Sequence, residues 1–346
     1  MKHTPETKRE LKDLVNDLSI NLGDIDTSKI TDMSYLFFDT QRTDFSGIEN
    51  WNVSNVTNMG AMFQGAESFN ADISKWNVGN VKDMGSMFCE ATSFNQPIGD
   101  WDVGRVENMA YMFEDATSFN QPIGKWDVSN VKDMRNMFRR AESFNADISS
   151  WNVSNVENMF WMFKNAESFN QDISNWNVSN VGEMRGMFAE ATSFNQDISG
   201  WNVSNVKNMD FMFRNAKSFN ADISNWDVSR VREMFAMFKG AEAFNQPIGK
   251  WNVSNVRDMG SMFEGAESFN ADISKWKVGR VRNMAGMFRE AKSFNQNISK
   301  WKVSRVRNMA CMFEDATSFN QDISYWDISN VENIDDETRK FINGGK

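Results

Sequence analysis

Histidine, cysteine and proline are scarce in this sequence of 346 residues, which contains 1 His, 2 Cys and 4 Pro. The single His3 lies close to an N-terminus that we expect to be mobile, so no histidine acid/base pair or nucleophile triad can be assembled. Cys89 and Cys311 are far apart and have no zinc-binding spacing, which excludes a disulfide framework and a zinc site. No Gly-rich phosphate loop occurs. We therefore expect a non-enzymatic protein that needs no cofactor or metal ion.

Long apolar runs are also absent. The first 18 residues, MKHTPETKRELKDLVNDL, are charged throughout and lack the apolar segment of about 7 to 15 residues that a secretory signal needs. No other stretch is apolar for long enough to cross a bilayer, so neither a signal peptide, a membrane span nor an anchor is expected. The net charge of -10 lacks the basic footprint of general nucleic-acid binding, so no specific nucleic-acid partner is expected.

Tryptophan, by contrast, recurs at one fixed interval. Of the 13 Trp residues, 12 are spaced 25 residues apart, the first being Trp51 and the last Trp326. A fixed period of about 20 to 50 residues is typical of a solenoid, in which each copy buries its apolar face against its neighbours. Numbered from its Trp, each copy is apolar at positions 1, 3, 6, 9, 12, 13, 16, 19 and 23. These positions hold most of the aromatic residues and Met, which are therefore expected to form a continuous core.

The spacing within a copy predicts its secondary structure. The apolar residues of 148–156 follow the leucine-rich-repeat spacing, with Val in the slot of the usual Asn. Trp151 and Val153 should form a short parallel strand, and the apolar residues of 156–166 recur at helical spacing. We predict an α/β repeat fold, a leucine-rich-repeat-like right-handed solenoid with short parallel strands and short helices. A parallel β-helix is the alternative, since about 25 residues also suit one coil of that fold.

The repeat divides the chain into four parts: residues 1–24 as an N-terminal capping helix and strand, 25–50 as a degenerate first repeat, 51–325 as eleven 25-residue repeats, and 326–346 as a partial repeat and C-terminal cap. Thr4 or Thr7 is available to cap the first helix, and residues 19–22 should form the strand. Terminal copies depart from the consensus because one side of them faces water.

Two polar positions are expected to serve the return turn. Position 20 is Asn in all eleven full copies, from Asn70 to Asn320, and amides stacked at the strand spacing of about 4.8 Å could form a side-chain-to-backbone ladder. Position 22 is Asp in seven copies, such as Asp147, which could stack as calcium ligands. Pro occupies the same position in three copies, such as Pro122, and has no ligand to offer. We therefore favour a turn-forming Asp over a calcium site.

The repeats also resemble a known family. The string MFEDATSFNQPIGKWDVSNVKDM at 112–134 is similar to the repeats of BspA-family leucine-rich-repeat surface proteins of bacteria, and its Met-Phe, Ser-Phe-Asn and Trp-x-Val blocks match together. The resemblance covers residues 25 to about 334 and implies a repeat solenoid used for adhesion or protein binding at a cell surface. Since this chain shows no export signal, the compartment stays open between the cell surface and the cytoplasm.

Residues that break the repeat are the candidate binding residues. Between 226 and 310 there are 15 Lys and Arg but 8 Asp and Glu, a net of +7 in a chain whose total is -10. Positions 25 and 2 flank the Trp and should face outward on the concave side, joined by positions 5 and 7. The candidates for contact with an acidic protein or polysaccharide are Lys275, Lys277, Arg280, Arg282, Lys300, Lys302, Arg305 and Arg307. A recent duplication is the alternative, because KWKVGRVRNM and KWKVSRVRNM are nearly identical.

Large aromatic side chains form a second departure, at positions 10 and 11. Most copies carry Gly, Ala, Ser, Arg or Asn at these positions, but four copies together carry five rings: Tyr111, Phe160, Trp161, Phe211 and Phe235. They could extend the core into an exposed apolar patch suited to a dimer or partner contact. Alternatively, they fill grooves between neighbouring helices.

We therefore expect a non-enzymatic scaffold that binds a protein or other macromolecule through side chains of the concave face, as an adhesin would. The alternative is a structural or self-assembling protein whose repeats pack through the aromatic patch. The sequence identifies neither the partner nor the oligomeric state.

Overall fold

The computed structural model describes residues 2–344 as a repeat solenoid with one 25-residue coil per copy. The chain divides into two compact units, Met1–Trp176 and Asn177–Lys346. Two α-helices stand at the ends, α1 (Lys8–Asn16) and α2 (Asp336–Ile342). Three short 3-10 turns are present, Leu22–Asp24, Ile48–Asn50 and Ile248–Lys250. The described residues contain no other helix and no strand longer than an isolated bridge.

The helix predicted within each copy is wrong. Trp161 and Asn165, at positions 11 and 15, have φ of 52° and 57°, and these two positions are left-handed in the degenerate first repeat and in all eleven full repeats. Two left-handed residues in one turn cannot belong to a right-handed α-helix. Instead, tight turns follow one another, with the N–H of Met162 donating to Met159 O at 3.2 Å and that of Ala166 to Phe163 O at 3.0 Å. Such turns produce the same apolar steps of three and four that a helix does.

The strand predicted at Trp-x-Val is also wrong. The copies pair instead at position 8, through single-residue parallel bridges such as Asn108 with Asp133 and Asp133 with Asn158. Residues 19–22 lead into a 3-10 turn and form no strand. The N-terminal segment is expected from the sequence to be mobile, but His3 is held by the first coil. It forms a parallel bridge with Ile25, and its N–H donates to Asp24 O at 3.1 Å.

At positions 9 to 15, the peptide groups that join successive coils point along one direction. The N–H groups at positions 9, 11, 13 and 15 donate to carbonyls of the next copy, as Tyr111 does to Arg135 O at 2.8 Å and Phe113 to Met137 O at 2.9 Å. Because each donating N–H has its peptide carbonyl on the opposite side, the dipoles align as they do in a helix. The C-terminal end of such a stack therefore carries free N–H groups and the N-terminal end free carbonyls.

Charged side chains of the caps match these dipole ends. In the N-terminal unit, Lys12 of α1 donates to Leu36 O at 2.7 Å. In the C-terminal unit, the N–H of Cys311 donates to Asp335, the residue that also caps α2. Thr7 caps α1 by accepting from the N–H of Glu10 at 3.2 Å. The buried guanidinium of Arg42 secures the other end of α1, donating to Val15 O at 3.2 Å and to Asp17 O at 2.8 Å.

Stacked rings form the core, as the sequence predicts. Phe138 is fully buried, with its ring centroid 3.9 Å from that of Phe144 and 5.7 Å and 5.6 Å from those of Phe113 and Phe163 in the two adjacent copies. The indole rings stack as well. In the copies after the first full repeat, each described indole N–H bond goes to the carbonyl of the Ile that lies three residues before the Trp of the preceding copy, as Trp126 donates to Ile98 O at 3.0 Å. A buried donor is thereby satisfied in every such copy.

Both return-turn predictions agree with the contacts. The N–H of Asn120 donates to Asn95 Oδ1 at 3.0 Å, and that of Asn145 to Asn120 Oδ1 at 2.9 Å, so the Asn ladder is confirmed. Asp147 Oδ1 accepts from the N–H of Ser149 at 2.9 Å, which is an Asx turn. The Ser149 hydroxyl, followed by this backbone N–H, holds the pKa of Asp147 below its usual value.

Candidate functional site

The eight basic candidates are all exposed and lie in the C-terminal unit. We refer to them as the basic surface: Lys275, Lys277, Arg280, Arg282, Lys300, Lys302, Arg305 and Arg307. Arg280 donates to Asn255 Oδ1 at 2.6 Å, and Arg307 lies 3.6 Å from a carboxylate oxygen of Glu332. Among the described residues, no carboxylate oxygen lies within 4.0 Å of the charged nitrogens of the other seven. Most of this charge therefore has no acidic partner within residues 2–344.

Position 7 extends the basic surface into a column that the sequence analysis did not single out. Arg282 and Arg307 are direct neighbours, since the N–H of Arg307 donates to Arg282 O at 2.9 Å. The same backbone bond, at 2.8 to 2.9 Å, links each member to the next in an exposed column of five cations: Lys207, Arg232, Arg257, Arg282 and Arg307. Comparing one position across all copies would have found Lys207, Arg232 and Arg257. The run of like charges is adjacent in space as well as periodic in sequence.

Lys277 and Lys302 replace a structural residue. At this place in eleven other copies an Asn or Asp accepts a hydrogen bond from the N–H two residues later: Asp26, Asn52, Asn77, Asp102, Asp127, Asn152, Asn177, Asn202, Asp227, Asn252 and Asp327. A lysine ammonium has no acceptor, so these two copies lose the Asx turn. In the part of the chain that the structure describes, the N–H groups of Gly279 and Ser304 have no replacement acceptor. Both N–H groups are exposed and open to water, so each lysine costs its copy one local hydrogen bond.

The five aromatic candidates separate into distinct surroundings, and all five are half-buried. Phe160 and Trp161 stack at 4.6 Å between ring centroids, and Lys164 and Arg139 lie 4.3 Å and 5.3 Å from the centre of a Trp161 ring. In the other unit, Phe211 meets Phe235 edge to face at 5.3 Å. Tyr111 lines a groove in the N-terminal unit. Cations lie next to the rings of Trp161 and Phe211, so these rings do not form a continuous apolar patch. Their use as an interface is a proposal.

Neither cysteine has the surroundings of a reactive thiol. Burial raises the pKa of the Cys89 thiol, and the nearby carboxylates of Glu114 and Glu90 raise it further. Burial likewise raises the pKa of Cys311, with Glu114's counterpart Glu314 adding to it. Nucleophilic cysteines need the opposite shift, so these contacts supply no thiolate at neutral pH.

No helix among the described residues is long and apolar enough to cross a membrane.

Comparison with solved structures finds leucine-rich-repeat proteins at low similarity. The leucine-rich-repeat domain of APL1 has a TM-score of 0.28 and 10% identity, covering 81% of this chain and 73% of that one. Toll, in the Drosophila Toll–Spätzle complex, has a TM-score of 0.27 and 11% identity, covering 88% of this chain and 37% of the other. InlJ of Listeria monocytogenes has a TM-score of 0.22 and 8% identity, covering 81% and 67%. These values are too low for a shared binding mode to be inferred.

Sequence comparison is more specific. No curated protein matches this chain. One family model, described as "Mycoplasma protein of unknown function, DUF285", matches residues 9–123, 90–189, 171–271 and 243–341. Together these ranges cover nearly all the repeats and both capping helices, and the chain therefore belongs to the DUF285 family.

Proposed function

We propose that this protein is a non-enzymatic binding scaffold whose basic surface recognises an acidic macromolecule, an acidic protein or polysaccharide. The observation that carries the proposal is the loss of the Asx turn at Lys277 and Lys302. A turn hydrogen bond contributes about 0.5 to 1.5 kcal/mol, and like charges at the same position of adjacent coils add a further cost of up to about 1 kcal/mol, as they do across paired strands. Cations retained at such a cost without a carboxylate partner are explained by a ligand outside the chain.

The family and the repeat architecture support this function without specifying it. Members of the matching family are repeat proteins of unknown function, and a solenoid presents the same position of successive copies as a continuous surface. The resemblance to BspA-family surface proteins favours adhesion as the biological setting. Self-assembly through the half-buried rings is the second candidate, and it receives less support because Trp161 is already covered by two cations.

The proposal predicts opposite changes in stability and binding when the consensus is restored. Lys277→Asn with Lys302→Asn should regain two Asx turns, raising the free energy of unfolding by about 1 to 3 kcal/mol in total. Affinity for immobilised heparin, which serves as a model polyanion, should fall because two cations are removed. Thermal melting and biolayer interferometry at fixed salt measure the two effects.

The matched control is Lys275→Asn with Lys300→Asn at position 25. It removes the same charge, and Asn225 shows that the position accepts Asn. This control should lose heparin affinity without gaining stability. If the variant with both Lys277→Asn and Lys302→Asn binds heparin with wild-type affinity, the proposal is contradicted. The lysines would then be explained by a recent duplication of one repeat and not by binding.

A further inference from the structure

A groove on the N-terminal unit has the features of a ligand site. Its volume is about 530 Å³, and its lining runs from Tyr35 through Tyr111 to Lys132, Asp133 and Arg135 of the following copy. This volume lies within the range of about 300 to 1,000 Å³ that is common for small-ligand sites. The groove belongs wholly to Met1–Trp176, so it is separate from the basic surface.

Both tyrosines occupy position 11, where the backbone is left-handed, with φ of 57° at Tyr35 and 61° at Tyr111. Position 11 has this backbone throughout the repeats, so the tyrosine rings, and not the φ angle, distinguish these two copies. Tyr35 is also 57% exposed, and the phenol oxygens of both rings have no partner among the described residues. Tyr35 packs on Phe38, with 5.8 Å between ring centroids, and Lys8 Nζ lies 5.9 Å from the centre of its ring, but more than half of the Tyr35 side chain stays open to a ligand.

Small residues form the floor between the rings. The intervening copies carry Gly60 with Ala61 and Gly85 with Ser86 at positions 10 and 11. A Cβ on Gly85 would lie 2.7 Å from Asn108 Nδ2, so a larger residue there would displace the amide. The floor is continuous, because the N–H of Ala61 donates to Gly85 O at 2.8 Å. The tyrosines thus stand three coils apart, about 14 Å at the usual strand spacing of about 4.8 Å.

One rim presents amide and carboxylate groups from adjacent copies. Asp83 Oδ1 accepts from the N–H of Gly85 and from Asn108 Nδ2, both at 2.9 Å, which leaves Oδ2 without a partner among the described residues. Asn58 Oδ1 accepts from the N–H of Gly60 at 2.9 Å, which leaves its Nδ2 similarly unused. One acceptor and one donor on neighbouring copies can bind a pair of adjacent hydroxyl groups.

The charge of the lining favours an uncharged ligand. Asp133 is paired with Arg135 at 2.6 Å, and the remaining ionisable side chains of the lining are Asp83, Glu107 and Lys132. The lining therefore carries a net charge near −1, too little to select an anion or a strongly cationic ligand. Aromatic faces at a fixed separation, with amide and carboxylate groups between them, match the apolar ring faces and adjacent hydroxyls of a sugar chain.

We propose that the groove between Tyr35 and Tyr111 binds a neutral oligosaccharide of about three pyranose rings, with the tyrosines stacking on its two ends and Asn58 and Asp83 bonding its hydroxyls. This site is independent of the basic surface, so the failure of either leaves the other unaffected.

Saturation-transfer NMR of the full chain with cellotriose, maltotriose and tri-N-acetylchitotriose tests the proposal. At least one of the three trisaccharides should bind at millimolar concentration, and Tyr111→Ala should weaken that binding by about tenfold through loss of one stacking ring. Phe211→Ala, which removes a ring from the same repeat position in the other unit, should bind like the wild type.

Ser86→Tyr provides a second variant that retains all groove residues but one. A Tyr at this position has precedent in Tyr111, and its ring should fill the groove and abolish binding, with an unchanged melting transition as the check on folding. Failure of all three trisaccharides to bind the wild type overturns the proposal. Binding that is equal in wild type, Tyr111→Ala and Ser86→Tyr overturns it as well.

Discussion

Reversing the charge of Lys275, Lys277, Lys300 and Lys302 to Glu should lower the affinity for heparin and for poly-L-glutamate by at least about 100-fold, equivalent to about 2.7 kcal/mol. Four attractions become four repulsions at the centre of a surface that has little internal neutralisation. The melting temperature should not fall, because the four side chains are exposed and have no carboxylate partner within 4.0 Å among the described residues.

The matched control reverses four exposed cations of the other unit, Lys75, Lys82, Arg105 and Lys132, with the same change in net charge. Arg105 donates to Asn80 Oδ1 at 2.7 Å, as Arg280 does to Asn255 at 2.6 Å, so the local surroundings are comparable. Retention of most polyanion affinity by this control is expected. Equal losses in the two variants would show that only the total charge matters.

Phe138→Ala should have the largest effect on stability, a loss of about 3 to 5 kcal/mol in the free energy of unfolding. The ring is fully buried and stacks on rings of its own copy and of both adjacent copies. Its removal therefore leaves one cavity that is bordered by three copies. Because copies of a solenoid are stabilised by their neighbours, the loss should lower the midpoint of urea unfolding for the whole unit.

Phe38→Ala is the control for the removal of a ring. Phe38 is 39% exposed and lies in the same unit, so its truncation should cost less than about 1.5 kcal/mol. If Phe138→Ala and Phe38→Ala shift the urea midpoint equally, the stacked rings are not the main source of stability.

The periodic core and the turn residues were predictable from the sequence because each depends on one residue type recurring at one position. Trp151 and Phe163 recur at the period of the coil, and each meets its counterpart in adjacent copies. Asn120 is invariant in its position because its amide bonds to the neighbouring copy. Such residues identify the solenoid without knowledge of the backbone between them.

The backbone of positions 9 to 15 was not predictable in this way. Position 15 does include Gly and Asn, which favour a left-handed backbone, but it also includes Arg140 and Glu190, which hide the preference. Position 11 carries residues as different as Ala61 and Trp161. The apolar spacing therefore predicts a helix, although consecutive turns produce the same steps.

The candidate site was only partly visible. The lysines and arginines of 275–307 stand out as charges in the sequence, whereas the cost of Lys277 and Lys302 becomes clear only when the Asx turns of the other copies are seen. The groove could not be predicted, since Tyr35 and Tyr111 are separated by 75 intervening residues and are brought to one groove by the coils.

Lysine acetylation footprinting of the wild type, with and without a heparin oligosaccharide, tests the central claim most directly. Mass spectrometry reports the modification of each lysine separately. We predict strong protection of Lys275, Lys277, Lys300 and Lys302, with Lys75 and Lys132 modified equally in both samples. Uniform protection of all lysines, or protection confined to residues outside 275–307, would contradict a binding function of the basic surface.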